Sequence, residues 1–543
     1  MDNNNNKNTF IAIALMLGVW IAFTVLFPPT QAPPPVEQPS AAQESTSSAT
    51  SQQAQVAVSS TPAAMVIPVV SVEEEELTIR TELFTAVMTN IGARLKSFEL
   101  NRYRVENRDD SDLIKMIDVS FPEQASLRLS GVNGLLLSPD APYSMPADSE
   151  VVLSGTDSRA LVFSTRTNDG LLLEKVLTFH GNSYVIDVDI KVSNPGQVAS
   201  RGGLELSLVQ FIDDTDSEES SAFSNSYSFT GGATLINDEV ETASLDDLKE
   251  SAVSFGKTAV WSAYESKYFI SALVPLNDSL DKVRIQRRDT FVENVLSLPF
   301  TTLNPGMSQD YSFMAYFGPR DKSILENANH QLSRAVDFGF FRVISDPLLW
   351  FLNEIYNYTN NYGIAIILLT ILIKALFWPL THKSYASMKA MQKLQPEIQK
   401  IREKFKNDRT RQGQETMTLY KQNRVNPMSG CLPMLIQIPV FFALYRVLYE
   451  AIELRHADFI FWLTDLSAKD PYYITPVVMG VTMFIQQKMT PSTMDPTQQK
   501  IFLMMPVIFT ALFLSFSSGL VIYWLINNLL TIAQQYYIHK KYT

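Results

Sequence analysis

The chain has 543 residues, a formal net charge of -12, 46% hydrophobic residues and one cysteine, Cys431. That length allows more than one domain, and a lone cysteine excludes an intrachain disulfide, so any exported domain has to stand on its apolar core. The five histidines (His180, His330, His382, His456, His539) show no H-x-x-x-H spacing, which argues against a metal centre, and no cofactor is expected. The average charge hides two unlike parts. Residues 28–350 hold 24 Lys and Arg against 44 Asp and Glu, and the remainder holds 20 against 12. An acidic middle and a basic remainder suit segments on opposite sides of a membrane, because Lys and Arg are retained on the cytoplasmic side.

In chain order, residues 10–27 form an uncharged run of 18 residues, about the minimum for a span. It ends in Leu26-Phe27-Pro28-Pro29, a poor cleavage site, so 1–27 is predicted to be an uncleaved signal anchor rather than a cleaved signal peptide. Residues 28–70, rich in Pro, Ala, Ser and Gln, read as a tether. From 71 to 320 the pattern is that of β-strands. Ile186, Val188, Ile190 and Val192 alternate with Asp187, Asp189 and Lys191, and Asn168-Asp169-Gly170 signals a hairpin turn. A single large antiparallel sandwich is predicted there.

Residues 321–355 switch to helical spacing, with Ile324, Leu325, Ala328, Leu332, Ala335 and Val336 on one stripe. Too polar to span, this segment is predicted to lie as an amphipathic helix in the membrane interface, with a packing helix of the β region as the alternative. Five apolar runs follow, at 356–380, 428–449, 472–487, 501–516 and 519–538, which with the anchor make six spans. The stretch 381–427 is the strongest cytoplasmic signal: from 381 to 426 it carries 11 Lys and Arg against 4 acidic residues. Alternation then places 450–471 outside, 488–500 inside and the tail 539–543 inside, with the β region periplasmic and both termini cytoplasmic.

Four features point toward function. Lys374 sits inside an apolar run, where a charge costs roughly 2.5–3.5 kcal/mol and usually faces a wet cavity or a partner. No acidic residue lies in a span core to pair with it, and snorkelling to the interface is the alternative. Thr370 lies one helical turn earlier, on the same face. Gln437, Gln486, Gln487, Asn527 and Asn528 add polar groups to other spans, either as helix–helix hydrogen bonds or as one polar face. The short runs at 472–487 and 501–516 imply local thinning of the bilayer. Finally, 381–427 reads as a basic helical hairpin bearing Met388, Met391, Lys393, Leu394, Lys400 and Arg402. Its Met-rich face either binds apolar peptide or is buried between the two helices. There is no G-x-x-x-x-G-K-[ST] loop, so no nucleotide chemistry is expected.

Three stretches carry a family resemblance: Asn426-Pro427-Met428-Ser429-Gly430-Cys431-Leu432-Pro433-Met434-Leu435-Ile436-Gln437-Ile438-Pro439, Asp470-Pro471-Tyr472-Tyr473-Ile474, and Asp495-Pro496-Thr497-Gln498-Gln499-Lys500-Ile501. At these residues the sequence resembles the YidC/Oxa/Alb insertases in their Gram-negative six-span form, over nearly the whole chain. The resemblance implies a non-enzymatic insertase and chaperone, an α-helical polytopic membrane protein with a periplasmic β-supersandwich and a cytoplasmic hairpin. It implies a groove open to the cytoplasm, with the family's basic residue at Lys374, a substrate-contacting Thr at Thr370 and an aromatic at Trp524 beside Tyr523. Gln437 and Gln487 are expected to line the same groove.

It also implies nascent membrane proteins as clients, the Sec translocon and its accessory subunits as partners, delivery through the signal-recognition receptor and ribosome, and no specific nucleic acid. The sequence departs from the family with Lys at 374 in place of the commoner Arg, Ser517 in place of Pro, and an end soon after Lys541 that does not carry a long basic tail. The alternative of another class is a secondary transporter with a periplasmic sensor. It lacks support because neither inverted repeats nor paired broken helices are visible. A sugar-modifying enzyme in the β region is a third reading, but His180 and His330 are its only histidines.

Overall fold

A computed structural model of the chain describes residues 73–118, 125–212, 229–276, 280–423, 425, 432–490 and 496–542. The expected anchor and linker, Cys431 and residues 491–495 lie outside these. From Glu76 to Pro319 the described residues are built of strands in three sheets. The first runs in the spatial order Leu113–Ile117, Arg94–Arg104, Phe84–Thr89, Glu76–Arg80, Glu150–Val152. The second is Val253–Phe255, Lys282–Arg288, Phe291–Leu303, Ser200–Phe211, Arg128–Val132. The third has eight strands: Glu239–Ser244, Gly231–Ile236, Ala259–Glu265, Phe269–Pro275, Ser308–Pro319, Val185–Ser193, Leu172–His180, Ser158–Arg166. Only the Glu76–Arg80 and Glu150–Val152 pair is parallel among these ladders.

The alternation read from the sequence sets the faces. Ile186, Val188, Ile190 and Val192 are buried, while Asp187, Asp189 and Lys191 are not. The hairpin forms over Thr167–Leu171, where Gly170 takes φ +90 and its N–H donates to the Thr167 carbonyl (2.9 Å). Phe98 stacks on Phe84 (4.5 Å between ring centres) and meets Phe317 (5.3 Å), joining the first sheet to the third through one core.

Ten helices are described. α1 (Leu245–Glu250) lies among the strands, held by a capping box between Ser244 and Asp247. The stretch 321–355 is not one helix. It divides into α2 (Lys322–Asn327), 3₁₀ turns at Leu332–Ala335 and Gly339–Phe341, and α3 (Arg342–Thr359). Asn329, His330 and Gln331 all take positive φ, which no α-helix accommodates. The stripe is shared accordingly. Leu325, Leu332 and Ala335 are buried in the same core as the strands, and the Trp261 indole N–H donates to the Gln331 carbonyl (3.2 Å). α3 leaves Val343, Trp350 and Tyr358 exposed while burying Leu348, Leu349 and Leu352.

Then come α4 (Tyr362–Lys393), α5 (Gln395–Lys404), α6 (Arg409–Gln422), α7 (Leu432–Glu450), α8 (Ile474–Met489), α9 (Pro496–Phe513) and α10 (Ser518–Tyr542). Asn360, with φ 49, ends α3, and the Asn361 side chain accepts from the Ile364 N–H to cap α4 (3.0 Å). α4 continues through Pro379, so Met388 and Met391 belong to its far end rather than to the helical pair α5–α6. By length and composition, α4 is the one described helix able to cross a membrane; Leu503–Phe513 is a shorter apolar stretch.

Candidate functional site: a polar cleft among the helices

The site is built on α10. Asn527, Asn528, Thr531, Gln534 and Gln535 are spaced one, three, three and one apart, which sets them on one helical face, and all five are buried. Each finds a partner outside α10, on α4, α7, α8 or the residue just past α8. The Gln437 amide on α7 donates to Asn527 (3.0 Å), and Asn528 donates to Thr482 on α8 (3.5 Å). Lys374 Nζ on α4 donates to Thr531 Oγ1 (2.9 Å). Gln534 donates to Thr381 on α4 (2.7 Å), and Gln535 to Thr490 just past α8 (2.9 Å). A polar seam thus joins α4, α7 and α8 through α10, and pairing offsets the cost of taking these amides out of water.

Beside this seam opens a narrow cleft of about 30 Å³, lined by Lys374, Thr381, Gln437, Tyr523, Asn527 and the apolar Phe377 and Val440. Among the described residues no carboxylate pairs with Lys374. A cation whose one hydrogen-bond partner is a neutral hydroxyl keeps most of its donor capacity for something else.

Of the residues expected from the sequence, Lys374, Gln437 and Tyr523 meet at this cleft. Thr370 does not line it: the side chain is buried and its hydroxyl donates to the Ile366 carbonyl of its own helix (2.6 Å). Thr370 stands one turn before Lys374 on α4, but back-bonding turns its hydroxyl onto the helix. Trp524 also lies off the cleft, in an aromatic cluster edge-on to Phe441 (4.9 Å) and beside Phe513 (5.2 Å). Gln487 is half-buried near the end of α8 and does not line the cleft. On the α4–α5 side, Met391, Leu394 and Ile398 are buried, Met388 is half-buried, and Lys393, Lys400 and Arg402 are exposed. Sequence reading missed Thr381 on α4 and Thr531, Gln534 and Gln535 on α10, although for the last three the spacing on α10 carried the signal.

The opposite end of the helices is tied to the strands through residues 450–471. Arg455 Nη2 donates to the carbonyls of Arg104 (2.5 Å) and Val105 (3.1 Å), its guanidinium within 6 Å of the Tyr268 and Phe269 rings. Asn107 donates to the Thr464 carbonyl (2.5 Å). The same loop bonds the helices: Asn361 donates to the Phe459 carbonyl (3.0 Å), and Ser518 Oγ to those of Asp465 (2.8 Å) and Ala468 (2.9 Å). Asp470 ends the loop. It accepts from the Thr475 N–H and hydroxyl, the Tyr472 N–H and the Trp462 indole. Burial pushes this carboxyl up, but the hydrogen bonds outweigh burial and hold it below the usual carboxylate range. The Asp470-Pro471-Tyr472-Tyr473-Ile474 stretch is therefore a start signal for α8.

A β-sandwich region followed by a helical region with a lysine-bearing polar cleft, one of whose helices is long and apolar enough to cross a membrane, fits a membrane protein with a large β domain. The family described as YidC periplasmic domain matches residues 76–351, and that described as 60Kd inner membrane protein matches residues 354–543. A membrane protein insertase YidC of Geotalea daltonii is 42% identical over 537 residues, covering 98% of this chain and 99% of its own. One from Syntrophus aciditrophicus is 45% identical over 492 residues, covering 89% of each. A solved structure of an active YidC insertase is 19% identical, covers 86% of this chain and 93% of its own, and has a TM-score of 0.36. The chain belongs to the YidC family of membrane protein insertases. Its function is the insertion of proteins into the membrane, without enzymatic chemistry.

Proposed function

We propose that client segments enter the cleft beside Lys374 from the cytoplasm, and that Lys374 attracts and hydrates the polar part to be translocated, acidic parts above all. The observation that carries this reading is the Lys374 ammonium. It is set among helices, faces a cleft, and has a neutral hydroxyl rather than a carboxylate as its partner. A membrane-embedded cation of this kind lowers the cost of bringing a polar, anionic segment to membrane depth. Gln437, Asn527 and Thr381 keep the cleft wet, and Tyr523, Trp524 and their aromatic neighbours guide the apolar part of the client toward lipid. Thr370 and Gln487 act from behind, by shaping α4 and α8.

In this reading the chain crosses the membrane six times: the anchor near residues 10–27, then α4, α7, α8, α9 and α10, with both termini in the cytoplasm and the β-sandwich in the periplasm of a cell inner membrane. The charge split between residues 28–350 and the rest supports that orientation. The exposed Lys393, Lys400 and Arg402 at α4's end and α5 make a basic platform for arriving clients. Its partners are the Sec translocon and its accessory subunits, the signal-recognition receptor and the ribosome.

The test is replacement of a cell's own insertase by this chain with Lys374 kept or changed to Arg, Ala or Glu, following insertion of a small membrane protein with an acidic translocated segment. Lys and Arg are expected to support insertion, Ala and Glu to fail. Equal activity of the Ala variant would remove the charge from the mechanism.

A further inference from the structure

The outer face of the second sheet carries a pocket that the insertion mechanism does not use. Strand pairing assembles it: Arg128 lies opposite Ser207, Ser130 opposite Glu205, and Val295 between Ser207 and Arg284. The pocket has a volume of about 220 Å³, below that of a drug-sized ligand site and enough for a group as small as a phosphate. Its charged groups are Arg128, Arg284 and Arg288 against Glu205 and Glu293. Lys282 stands two residues before Arg284 on the same side of its strand. This is a net positive face in a region, residues 28–350, where acids outnumber bases 44 to 24.

The two glutamates pair with these arginines and still leave the positive charge in excess. Glu293 is almost wholly buried and saturated: it accepts from Arg128 Nη2 and from Gln286 (2.7 Å), with Arg288 Nε 3.3 Å away. It thereby splays Arg128 and Arg288 in fixed positions, which leaves their remaining N–H groups pre-organised. Glu205 accepts from Ser297 (3.3 Å) and forms an ion pair with Arg284 Nη2 at 3.8 Å, a distance without a hydrogen bond, so the Arg284 donors are not taken up by it. Arg284 Nε is buried and bonds to no described atom. The Arg284 side chain is otherwise 33% exposed, and the planar fork of Arg matches phosphate and carboxylate oxygens. No aromatic ring lines the pocket on which a neutral sugar could stack.

We propose that this pocket binds a phosphate group, with Arg284 as its central donor flanked by Arg128, Arg288 and the hydroxyl of Ser130. The group comes either from free phosphate or from a phospholipid headgroup. The full chain, purified in a neutral maltoside detergent at low salt, is titrated calorimetrically with inorganic phosphate and separately with short-chain phosphatidylglycerol. Saturable binding of one equivalent is expected, weakened by salt and weakened at least tenfold by Arg284→Gln. Arg284→Lys, which keeps the charge but loses the fork, falls between the two. Arg287→Gln, on the opposite side of the same strand, leaves binding unchanged. Thermal unfolding of each variant, measured in parallel, separates lost binding from lost folding. If the lipid binds tenfold or more tightly than inorganic phosphate, the source is a headgroup; equal affinities point to the free ion. The proposal is overturned if the unmodified chain takes up neither ligand, or if Arg284→Gln binds as well as the unmodified chain. In either case the arginines serve only to ladder the sheet.

Discussion

Lys175 allows a test of the sandwich that is independent of insertion. In the strand Leu172–His180 the inward positions are Leu173, Lys175, Leu177 and Phe179, so a lysine occupies a core site. Its ammonium is wholly buried and donates to the carbonyls of Ala93 (2.7 Å) and Leu127 (2.5 Å). Burial, with a lesser contribution from the Arg94 cation, lowers its pKa from 10.5 to about 7. The unfolded chain keeps the proton until about pH 10.5, whereas the folded chain releases it near pH 7. Between those values the unfolded state binds more protons, so stability rises with pH; at pH 7 and below, the full cost of the buried charge is present. Linkage for this one group gives a gain of about 2 kcal/mol from pH 7 to 9.

Lys175→Met retains the apolar stem and removes the titration. Two carbonyls lose their donor, at a cost on the order of 1–3 kcal/mol each, but the slope vanishes. The assay is hydrogen–deuterium exchange on the full chain in detergent at pH 7, 8 and 9, read on peptides from Leu172–His180 and Val185–Ser193 and corrected for the intrinsic exchange rate. The opening free energy should rise with pH in the unmodified chain and stay flat in the variant. Parallel slopes, or no slope in the unmodified chain, would refute the argument.

Three further perturbations address the helices and their tie to the strands. Thr531→Val takes away the hydroxyl that receives the Lys374 ammonium; insertion of a client with an acidic segment should fall several-fold, and Thr531→Ser should restore it, whereas an unaffected Val variant excludes Thr531 from the cleft's work. Gly363→Ala would place a methyl group 1.9 Å from Phe459 Cδ2, on a residue whose backbone is held by the Asn361 bond to its carbonyl. Overpacking of this kind costs roughly 1–3 kcal/mol, so the melting temperature of the chain in detergent should drop, and an unchanged melting curve would mean that the loop yields freely. Arg455→Ala removes two hydrogen bonds and the ring contacts that hold the 450–471 loop against the strands. Amide exchange across residues 104–107 and 459–466 should speed up at least tenfold, with protection kept by the unmodified chain and partly by Arg455→Lys.

What was legible in the sequence is what depends on local period. The alternation from Ile186 to Val192 fixed the inner face of a strand, and Asn168-Asp169-Gly170 marked its neighbour's turn, because both signals are complete within a few residues. A β region followed by a helical one could be read the same way. Lys374 and Gln437 were found as exceptions to apolar runs, and an exception is visible without knowing its partner. What stayed hidden depends on pairing between elements or on backbone detail. The break at Asn329-His330-Gln331 contains no glycine or proline, so nothing in the helical stripe announced three successive residues with positive φ. Thr370 shared Lys374's face, but facing is a matter of azimuth and bonding is a matter of which acceptor is nearest; its own Ile366 carbonyl won. The most informative omission is Thr531. Its contribution is defined by Lys374, 157 positions earlier, and by the Asn527 and Gln534 side chains that flank it on α10. A polar stripe on the last helix has meaning only once α4, α7 and α8 supply the groups that answer it, which is why the cleft emerges from the packing of helices whose separate sequences give only half of each contact.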